Sequence, residues 1–324
     1  MQDFSISQKS QNATLRKAKA VKKDEFYTKI YDIENEVKHY KGHFRGKVVF
    51  CNCDDPTASD FWRYFHISFS HLGLKKLIST HFVYKDLFTP GSTYKMEYEG
   101  GNDVDYNIGE KTILKANGDF RSEECIEILK SADIVVTNPP FSLFREFVSQ
   151  LMKFDKIFLI IGNKNAIAYK EIFPLIKETK VWLGYTSPNY YMVYENGKFL
   201  YDSDNLAGLT RWFTNLEVSK RDEELILFRK YYGNEGNYPK YDNYDAIEVS
   251  KVCNIPMDYD GVMGVPITFL DKYNPSQFEI VDGLNRYSIL DVAGTNKLAR
   301  KNHLYMTSIN GKPIYARILI KKKQ

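Results

Sequence analysis

Short apolar runs alternate with amphipathic segments from residue 47 to residue 183, and this alternation predicts most elements of the fold. The apolar runs are brief and rich in β-branched residues, as is typical of buried strands, and they lie at 48–51, 75–82, 133–137, 156–161 and 180–183. Segments with a helical spacing of apolar positions lie between them, at 58–70, 121–130, 141–152 and 166–177. Strands and helices in this order predict an α/β fold with a doubly wound, mostly parallel sheet.

Outside this region the pattern changes, and the change predicts further modules. Residues 1–23 have little apolar periodicity and are expected to form an arm. The polar segments 86–112 and 185–208 are rich in Tyr, Asp and Gly, which is typical of inserted loops or hairpins. The last hundred residues are rich in Tyr, Asn, Gly and Pro, which favours a second module of irregular or β character. The expected divisions are an arm at 1–23, an α/β domain at 24–219 and a C-terminal module at 220–324.

The composition is that of a globular protein, with 43% hydrophobic and 27% charged residues among 324. No apolar run approaches the roughly 18 to 20 residues that would span a bilayer, and the N-terminus lacks the apolar stretch of a secretory signal. The four cysteines do not have the pattern of a disulfide framework. The sequence therefore predicts a cytoplasmic protein with no membrane partner.

The small net charge of +4 hides two basic ends. Residues 1–23 and residues 311–324 each carry +5, which leaves −6 for the body of the chain. Such ends attract polyanions by releasing counterions, although solvated tails that only aid solubility are an alternative. The candidate DNA-binding residues in the first of these segments are Arg16, Lys17, Lys19, Lys22 and Lys23.

One motif points to a specific chemistry, since residues 133–141 read Asp-Ile-Val-Val-Thr-Asn-Pro-Pro-Phe. Ligands of open parallel sheets bind at the carboxyl ends of the strands, which is where this motif places Asn138. Pro139 and Pro140 remove two backbone donors, so the exposed acceptors are the Asn138 side-chain oxygen and the Pro139 carbonyl. Two acceptors suit a primary amino group, and Phe141 offers a flat apolar face on which a base can stack. The motif predicts that these four residues are catalytic.

The motif resembles that of S-adenosylmethionine-dependent amino-methyltransferases that act on adenine N6. The surrounding sequence is similar, more specifically, to the EcoRI-type DNA adenine methyltransferases. The similar segments extend over nearly the whole chain: DEFYT (24–28), VVFCNCDDP (48–56), LGLKKLI (72–78), GDFRS (118–122), NPPFSLF (138–144), KYDNYDAI (240–247) and GVMGVPITFL (261–270). The motif order resembles the gamma arrangement. The resemblance implies a class I methyltransferase fold, which is Rossmann-like, with a C-terminal target-recognition module.

The resemblance implies five cofactor-binding residues near the first buried strand. Tyr27 and Thr28 would belong to the motif that closes over the methionine end of S-adenosylmethionine. Cys53, Asp54 and Asp55 would stand where this fold holds the cofactor. The sequence departs from the usual pattern here, because it lacks a Gly-rich turn and lacks the usual acid at the end of the second strand. The two aspartates could alternatively cap the helix that follows.

The resemblance implies further contacts to the cofactor and to the target base. Asp119 would pair with the adenine amino group of the cofactor, Phe120 would pack on that ring, and Asn138 would also border the cofactor. Trp212 and Phe213 are candidates for a second stacking wall around the target base.

The implied reaction is methyl transfer from S-adenosylmethionine to the N6 of an adenine in double-stranded DNA. The base must leave the stack, because its amino group is otherwise paired. No metal is expected. The resemblance further implies a short palindromic site with an AATT core, a role in restriction-modification or solitary epigenetic methylation, and a monomer. A cognate restriction endonuclease would be a genetic partner only, and the enzyme would be associated with the bacterial nucleoid.

Two other functions remain open from the sequence. A protein glutamine-N5 methyltransferase uses the same kind of Asn-Pro-Pro motif, usually with a following Tyr, but the basic ends and the C-terminal module argue against it. A non-catalytic DNA-binding protein on a methyltransferase fold would explain the missing Gly-rich turn, although the intact Asn-Pro-Pro-Phe argues against loss of catalysis.

Overall fold

The computed structural model describes residues 26–82, 93–188, 191–195, 198–203, 208–242, 244–284 and 308–323. The chain divides into two compact units. The first contains the described residues up to Ala166 together with Gly184–Glu217, and the second contains Ile167–Leu183 and the described residues from Val218 onward. Residues 167–183, which we expected in the α/β domain, thus belong to the second unit. The arm at 1–23 lies outside the described residues.

The elements of the described residues are short, and the strands outnumber the helices. The strands are β1 (Phe26–Thr28), β2 (Val48–Cys51), β3 (Lys76–Thr80), β4 (Tyr94–Tyr98), β5 (Glu110–Ile113), β6 (Ile134–Thr137), β7 (Ile157–Asn163), β8 (Trp182–Leu183), β9 (Tyr191–Glu195), β10 (Lys198–Ser203), β11 (Thr210–Thr214), β12 (Ile247–Glu248), β13 (Met263–Val265), β14 (Phe278–Leu284), β15 (Ser308–Ile309), β16 (Lys312–Pro313) and β17 (Arg317–Lys322). The α-helices are α1 (Ile30–Val37), α2 (Asp60–Ile67), α3 (Phe69–Leu72), α4 (Glu123–Ser131), α5 (Phe144–Lys153) and α6 (Phe173–Lys177).

Four parallel strands form the centre of the sheet in the first unit, whose order is β5-β4-β3-β2-β6-β7-β11. Val49 of β2 lies between Leu77 of β3 and Ile134 of β6, and Ile134 in turn pairs with Ile157 of β7. The first three of these side chains are fully buried, as strands in a parallel sheet covered on both faces require. The α/β fold of class I methyltransferase type is therefore confirmed.

The two polar insertions contribute strands of their own. β4 and β5 lie within or beside the segment 86–112 and extend the sheet beyond β3 in antiparallel register. The segment 185–208 contains the antiparallel pair β9 and β10, and β1 pairs with β9, with Tyr27 opposite Met192. Residues 26–28 of the DEFYT motif therefore join a small sheet built on the second insertion.

A separate sheet forms the core of the second unit. Its order is β12-β13-β17-β14, with β12 and β13 parallel and the other pairs antiparallel. Leu319 of β17 is fully buried, with Tyr241 and Ala246 in the same apolar cluster. Within the described residues of this unit, β15 and β16 form a further two-stranded pair.

The helix predicted at 166–177 is wrong in its extent. The structure has a 3₁₀ turn at Lys164–Ala168, and α6 begins only at Phe173. Pro174 explains the late start, because proline lacks the N–H that a helix interior needs but fits the first helical turn. The apolar spacing upstream of Pro174 therefore reflects packing rather than one continuous helix.

A buried carboxylate on α1 anchors the start of the second insertion. Glu36 is fully buried and accepts the backbone N–H groups of Tyr185 at 2.7 Å and of Thr186 at 2.6 Å. The hydroxyls of Thr186 and Tyr40 donate to it as well. Burial, followed by the charge of Glu36, raises the pKa of Tyr40, so its hydroxyl keeps the proton that it donates. Gly184 is required beside this carboxylate, because a Cβ there would lie 2.2 Å from Glu36 Oε1.

We expect Glu36→Ala to lower the free energy of unfolding of the first unit by about 3 kcal/mol, because it leaves two backbone N–H groups and two hydroxyls without their hydrogen-bond acceptor. Thermal unfolding followed by circular dichroism measures the effect. Glu34→Ala is the matched control, since Glu34 lies exposed on the same helix. An unchanged melting temperature for Glu36→Ala would contradict the assigned role.

Candidate active site

The turn after β2 is built around the buried carboxyl of Asp54. Asp54 is 5% exposed, and Ser59 Oγ donates to it at 2.9 Å. The hydroxyl of Thr137, at the end of β6, and the backbone N–H of Asn138 also bond to this carboxyl. Because Ser59 is the N-cap of α2, a single side chain joins the end of β2, the start of α2 and the end of β6. Asp54 therefore points into the protein, where it fixes the position of the Asn-Pro-Pro segment.

The carboxyl of Asp54 and a backbone carbonyl both lie close to one hydroxyl, that of Thr137. Thr137 Oγ1 lies within hydrogen-bonding distance of both Asp54 Oδ2 and the carbonyl oxygen of Asn52. The hydroxyl has one proton, so these two oxygens share it, unless a protonated Asp54 donates to Thr137 and leaves that proton to Asn52. Burial raises the pKa of Asp54 to about 7, against the opposing effect of its bonds from Thr137, Ser59 and Asn138.

The Asn-Pro-Pro-Phe segment lies at the carboxyl edge of the parallel strands. Pro139 is buried, whereas Asn138, Pro140 and Phe141 are partly exposed. The Pro140 carbonyl accepts the backbone N–H of Leu143 at 2.9 Å, which turns the chain into a 3₁₀ turn and then into α5. The segment is thus fixed at both ends, and Phe141 is partly exposed, whereas Asn138 Oδ1, which we expected to be an exposed acceptor, is buried.

The Gly-Asp-Phe segment at 118–120 packs against the end of β3. Gly118 has a φ of +76°, and a Cβ there would lie 2.2 Å from the carbonyl oxygen of His81. Only glycine allows this approach without a shift of the backbone. The Phe120 ring meets the Phe147 ring of α5 at 5.0 Å, and Gln150 donates to the Phe120 carbonyl at 3.0 Å. The segment is therefore held between β3 and α5, the helix that follows the Asn-Pro-Pro-Phe segment.

Asp119 and Phe120 differ in their availability to a ligand. The carboxylate of Asp119 bonds Arg121 at 2.7 Å and 2.9 Å, and this contact is the largest of the causes that lower the pKa of Asp119. The side chain is 19% exposed, so it can still meet an amino group. Phe120 is only 2% exposed, so most of its ring contacts the protein rather than a cofactor.

The turn that replaces the Gly-rich loop adopts the conformation that glycine usually supplies. Cys53 has a φ of +67°, in the left-handed region, and is partly exposed. Asp55 accepts the backbone N–H of Thr57 at 2.9 Å and the Tyr94 hydroxyl at 3.0 Å. The capping alternative for the two aspartates thus has support, since Asp55 closes the turn and Asp54 holds the capping residue Ser59.

Sequence reasoning missed Asn52, which lies in the same turn and is fully buried. Its Oδ1 accepts the Thr80 hydroxyl at 3.1 Å, which links the ends of β2 and β3. Its Nδ2 is buried and has no hydrogen-bond partner among the described residues, and the same holds for Oγ1 of Thr28. The backbone N–H of Ile30 donates to Asp60 Oδ2 at 2.9 Å, so Thr28 is tied to the start of α2. Two unsatisfied polar atoms on elements of this edge fit a polar cofactor.

Trp212 and Phe213 are not stacking residues in this structure, which corrects the sequence expectation. Both are fully buried on β11, where they pair with Ile161 and Ile160 of β7. The Phe213 ring lies 5.1 Å from the Phe144 ring. A strand paired along this length of the sheet packs its bulky side chains into the core, so neither ring has a face open to a base.

Some predicted site residues lie outside the described residues, namely Arg16, Lys17, Lys19, Lys22 and Lys23. The backbone of Tyr27 is described, in β1. Across the ranges that the structure describes, no group of three or more His, Cys, Asp and Glu residues could hold a metal ion. No helix in the same ranges is long and apolar enough to cross a membrane.

Comparison with known proteins identifies the family. The family described as "Adenine-specific methyltransferase EcoRI" matches residues 14–323. The Type II methyltransferase M.EcoRI of Escherichia coli is 46% identical over 98% of this chain and 99% of its own length. M.MgeORF184P of Mycoplasma genitalium and M.MpnI of Mycoplasma pneumoniae, both Type II methyltransferases, are 44% and 42% identical, each over 95% of this chain and 98% of its own length. No solved structure matches the chain.

These matches cover nearly the full chain, so they include the Asn-Pro-Pro-Phe edge and the C-terminal unit alike. They favour adenine over the glutamine of a protein as the acceptor, and they imply S-adenosylmethionine as the methyl donor. The chain belongs to the EcoRI family of adenine-specific DNA methyltransferases, which act in restriction-modification.

Proposed function

We propose that the chain methylates the N6 of an adenine that is flipped out of duplex DNA, within a short palindrome that has an AATT core. The placement of Asn138 carries this proposal. Its backbone N–H bonds to Asp54, and the partly exposed residue stands at the carboxyl edge of the parallel strands with its Oδ1 buried. Flipping is required because the N6 amino group in a duplex is paired and out of reach.

The proposed chemistry depends on two acceptors. The Asn138 side-chain oxygen and the Pro139 carbonyl each accept one N–H of the adenine amino group, which turns the nitrogen lone pair toward the methyl group. Phe141 stacks on the base. Fixed acceptors stabilise the positive charge that develops on nitrogen, and they need no reorganisation during the step. The sulfonium would leave as an uncharged thioether, and the methylated nitrogen, now acidic, would lose its proton to solvent water, so no side chain with a matched pKa is required.

The cofactor supplies the reaction with a methyl group on a sulfonium centre. We propose that Tyr27, Thr28, Asn52, Cys53 and Asp119 border it. The unsatisfied Asn52 Nδ2 and Thr28 Oγ1 would meet its polar groups, and the exposed part of the Asp119 carboxylate would meet the adenine amino group. Asp54 and Phe120 support these residues from the interior, because both are nearly fully buried.

The remaining parts of the proposal concern the cell. A monomer would modify one strand at a time in the cytoplasm, at the nucleoid, either beside a cognate restriction endonuclease or alone. The basic residues Arg16, Lys17, Lys19, Lys22 and Lys23 would clamp the phosphates that flank the flipped base. No metal would take part.

Asn138→Ala should reduce methyl transfer at least about 100-fold, since it removes one of two fixed acceptors. Tritium transfer from labelled cofactor to DNA gives the rate, and long-read sequencing of DNA from cells that express each variant maps the modified site. Asn35→Ala is the matched control, because the Asn35 side chain accepts a hydrogen bond from Lys38 at 3.0 Å on α1, away from the Asn-Pro-Pro-Phe segment in sequence. Full modification by Asn138→Ala would refute the proposed role, and counts in protein rather than DNA would refute the substrate.

Asp54→Asn should change how stability depends on pH. The pKa of the Asp54 carboxyl lies near 7 in the folded chain and near 3.8 in the unfolded chain. Its contribution to stability is therefore fully present below about pH 4 and is lost as the pH rises through about 7. The asparagine variant does not titrate, so the wild type should lose stability relative to it over this range. Urea unfolding of both proteins at several pH values measures the difference, and a constant difference would contradict the assignment.

A further inference from the structure

A polar groove lies entirely within the second unit, apart from the catalytic edge. Its cavity volume is about 530 Å³. The side chains that matter for binding are Phe228, Arg229, Lys230, Asn234, Asn237 and Asn254. They combine two cations, three carboxamides and one aromatic ring.

The floor of the groove is held by the interior of the unit. The Arg229 carbonyl accepts the backbone N–H of Met257 at 2.9 Å, and the Tyr238 hydroxyl donates to the Asn254 carbonyl at 3.0 Å. The Tyr231 ring packs against Tyr238 and, at 4.5 Å between ring centroids, against Tyr259. The backbone that carries the groove is therefore fixed, while its polar side chains face outward.

The charges of the groove are available to an anion. Elsewhere in this unit cations pair with carboxylates, as Arg317 does with Glu248 and Lys322 with Asp260. Arg229 and Lys230 are exposed, and neither has an ion pair with an acid among the described residues. The two acids near this backbone accept backbone N–H groups, Asp258 that of Tyr231 at 2.6 Å and Glu235 that of Gly233 at 3.0 Å. The groove thus presents two positive charges that have no ion pair with an acid among the described residues.

An exposed aromatic ring stands beside these cations. Phe228 is 61% exposed, and the Arg229 guanidinium lies 5.1 Å from the centre of its ring. A cation, carboxamides and a bare ring together are the groups that bind the phosphate, the base edge and the base face of a nucleotide.

We propose that this groove binds one phosphodiester of the DNA substrate together with its adjoining nucleoside. Arg229 and Lys230 contact the phosphate, Phe228 covers the face of the sugar or base, and Asn234, Asn237 and Asn254 contact polar edges. The proposal rests on DNA as the substrate of the chain, and it adds a binding site in the second unit that is separate from the site of methyl transfer.

The charge contacts are tested with the double variant Arg229→Ala/Lys230→Ala in the full chain. Binding to a short duplex with an AATT core is measured by fluorescence anisotropy over a series of salt concentrations. The loss of this one phosphate contact should flatten the slope of log affinity against log salt by about 1. The control Lys130→Ala/Lys153→Ala removes two charges from α4 and α5 and should leave the slope unchanged.

Phe228→Ala separates stacking from charge. It should weaken binding about tenfold or more while leaving the salt slope as in the wild type, because a ring contributes no counterion release. All variants lie at exposed positions, so melting temperatures near that of the wild type verify folding.

The outcomes distinguish this site from the proposed function. If the wild type methylates the duplex while the double variant keeps the wild-type slope and affinity, the groove is not a DNA site. If Phe228→Ala also binds the duplex with wild-type affinity, the proposed contact between the Phe228 ring and a nucleoside is wrong as well. If the wild type transfers no methyl group to DNA, the proposed function is at fault, and the slopes still report on the groove.

Discussion

The fold at the catalytic edge depends on one buried carboxyl. Asp54 is 5% exposed, and a carboxyl in such a place is stable only when it is protonated or fully hydrogen-bonded. Ser59, Thr137 and the backbone of Asn138 meet that requirement, and in doing so they bring together segments that are distant in sequence. The position of the proposed catalytic residue is therefore a consequence of satisfying an interior group.

The same edge is completed by close backbone packing. Gly118 lets the Gly-Asp-Phe segment touch the residue that follows β3, and Phe120 locks that segment against α5. Because β3, β2 and β6 are neighbouring parallel strands, their carboxyl ends meet at one place. The turns that follow β2, β3 and β6 therefore lie side by side, where they could border both the proposed cofactor and the proposed target base.

The sequence predicted the sheet and the place of the Asn-Pro-Pro-Phe segment at its carboxyl edge, since both depend on local patterns. The strands around Val49, Ile134 and Leu159 are continuous apolar runs, and the Asn-Pro-Pro-Phe segment is contiguous in the chain. The sequence could not predict which polar residues face inward. Asp54 was expected at the cofactor and lies in the interior, and Asn52 was overlooked because nothing in its neighbours marks its burial.

Other differences arise from tertiary context. The family resemblance implied a stacking role for Trp212, yet β11 packs this side chain fully into the core. Residues 167–183 continue the alternation of helical and strand patterns along the sequence, but they belong to the second unit. The groove at Phe228 is lined by residues from three separate segments, so no single sequence motif predicts it.

The most direct test of this account is Thr137→Val, which removes one hydroxyl between Asp54 and Asn52 while keeping the shape of the side chain. Single-turnover methyl transfer and equilibrium binding of S-adenosylmethionine are both measured on the same protein. The account predicts that methyl transfer falls at least about tenfold and that cofactor binding also weakens, because one network supports both. A variant with the wild-type rate and the wild-type affinity would show that Asp54 does not organise this edge.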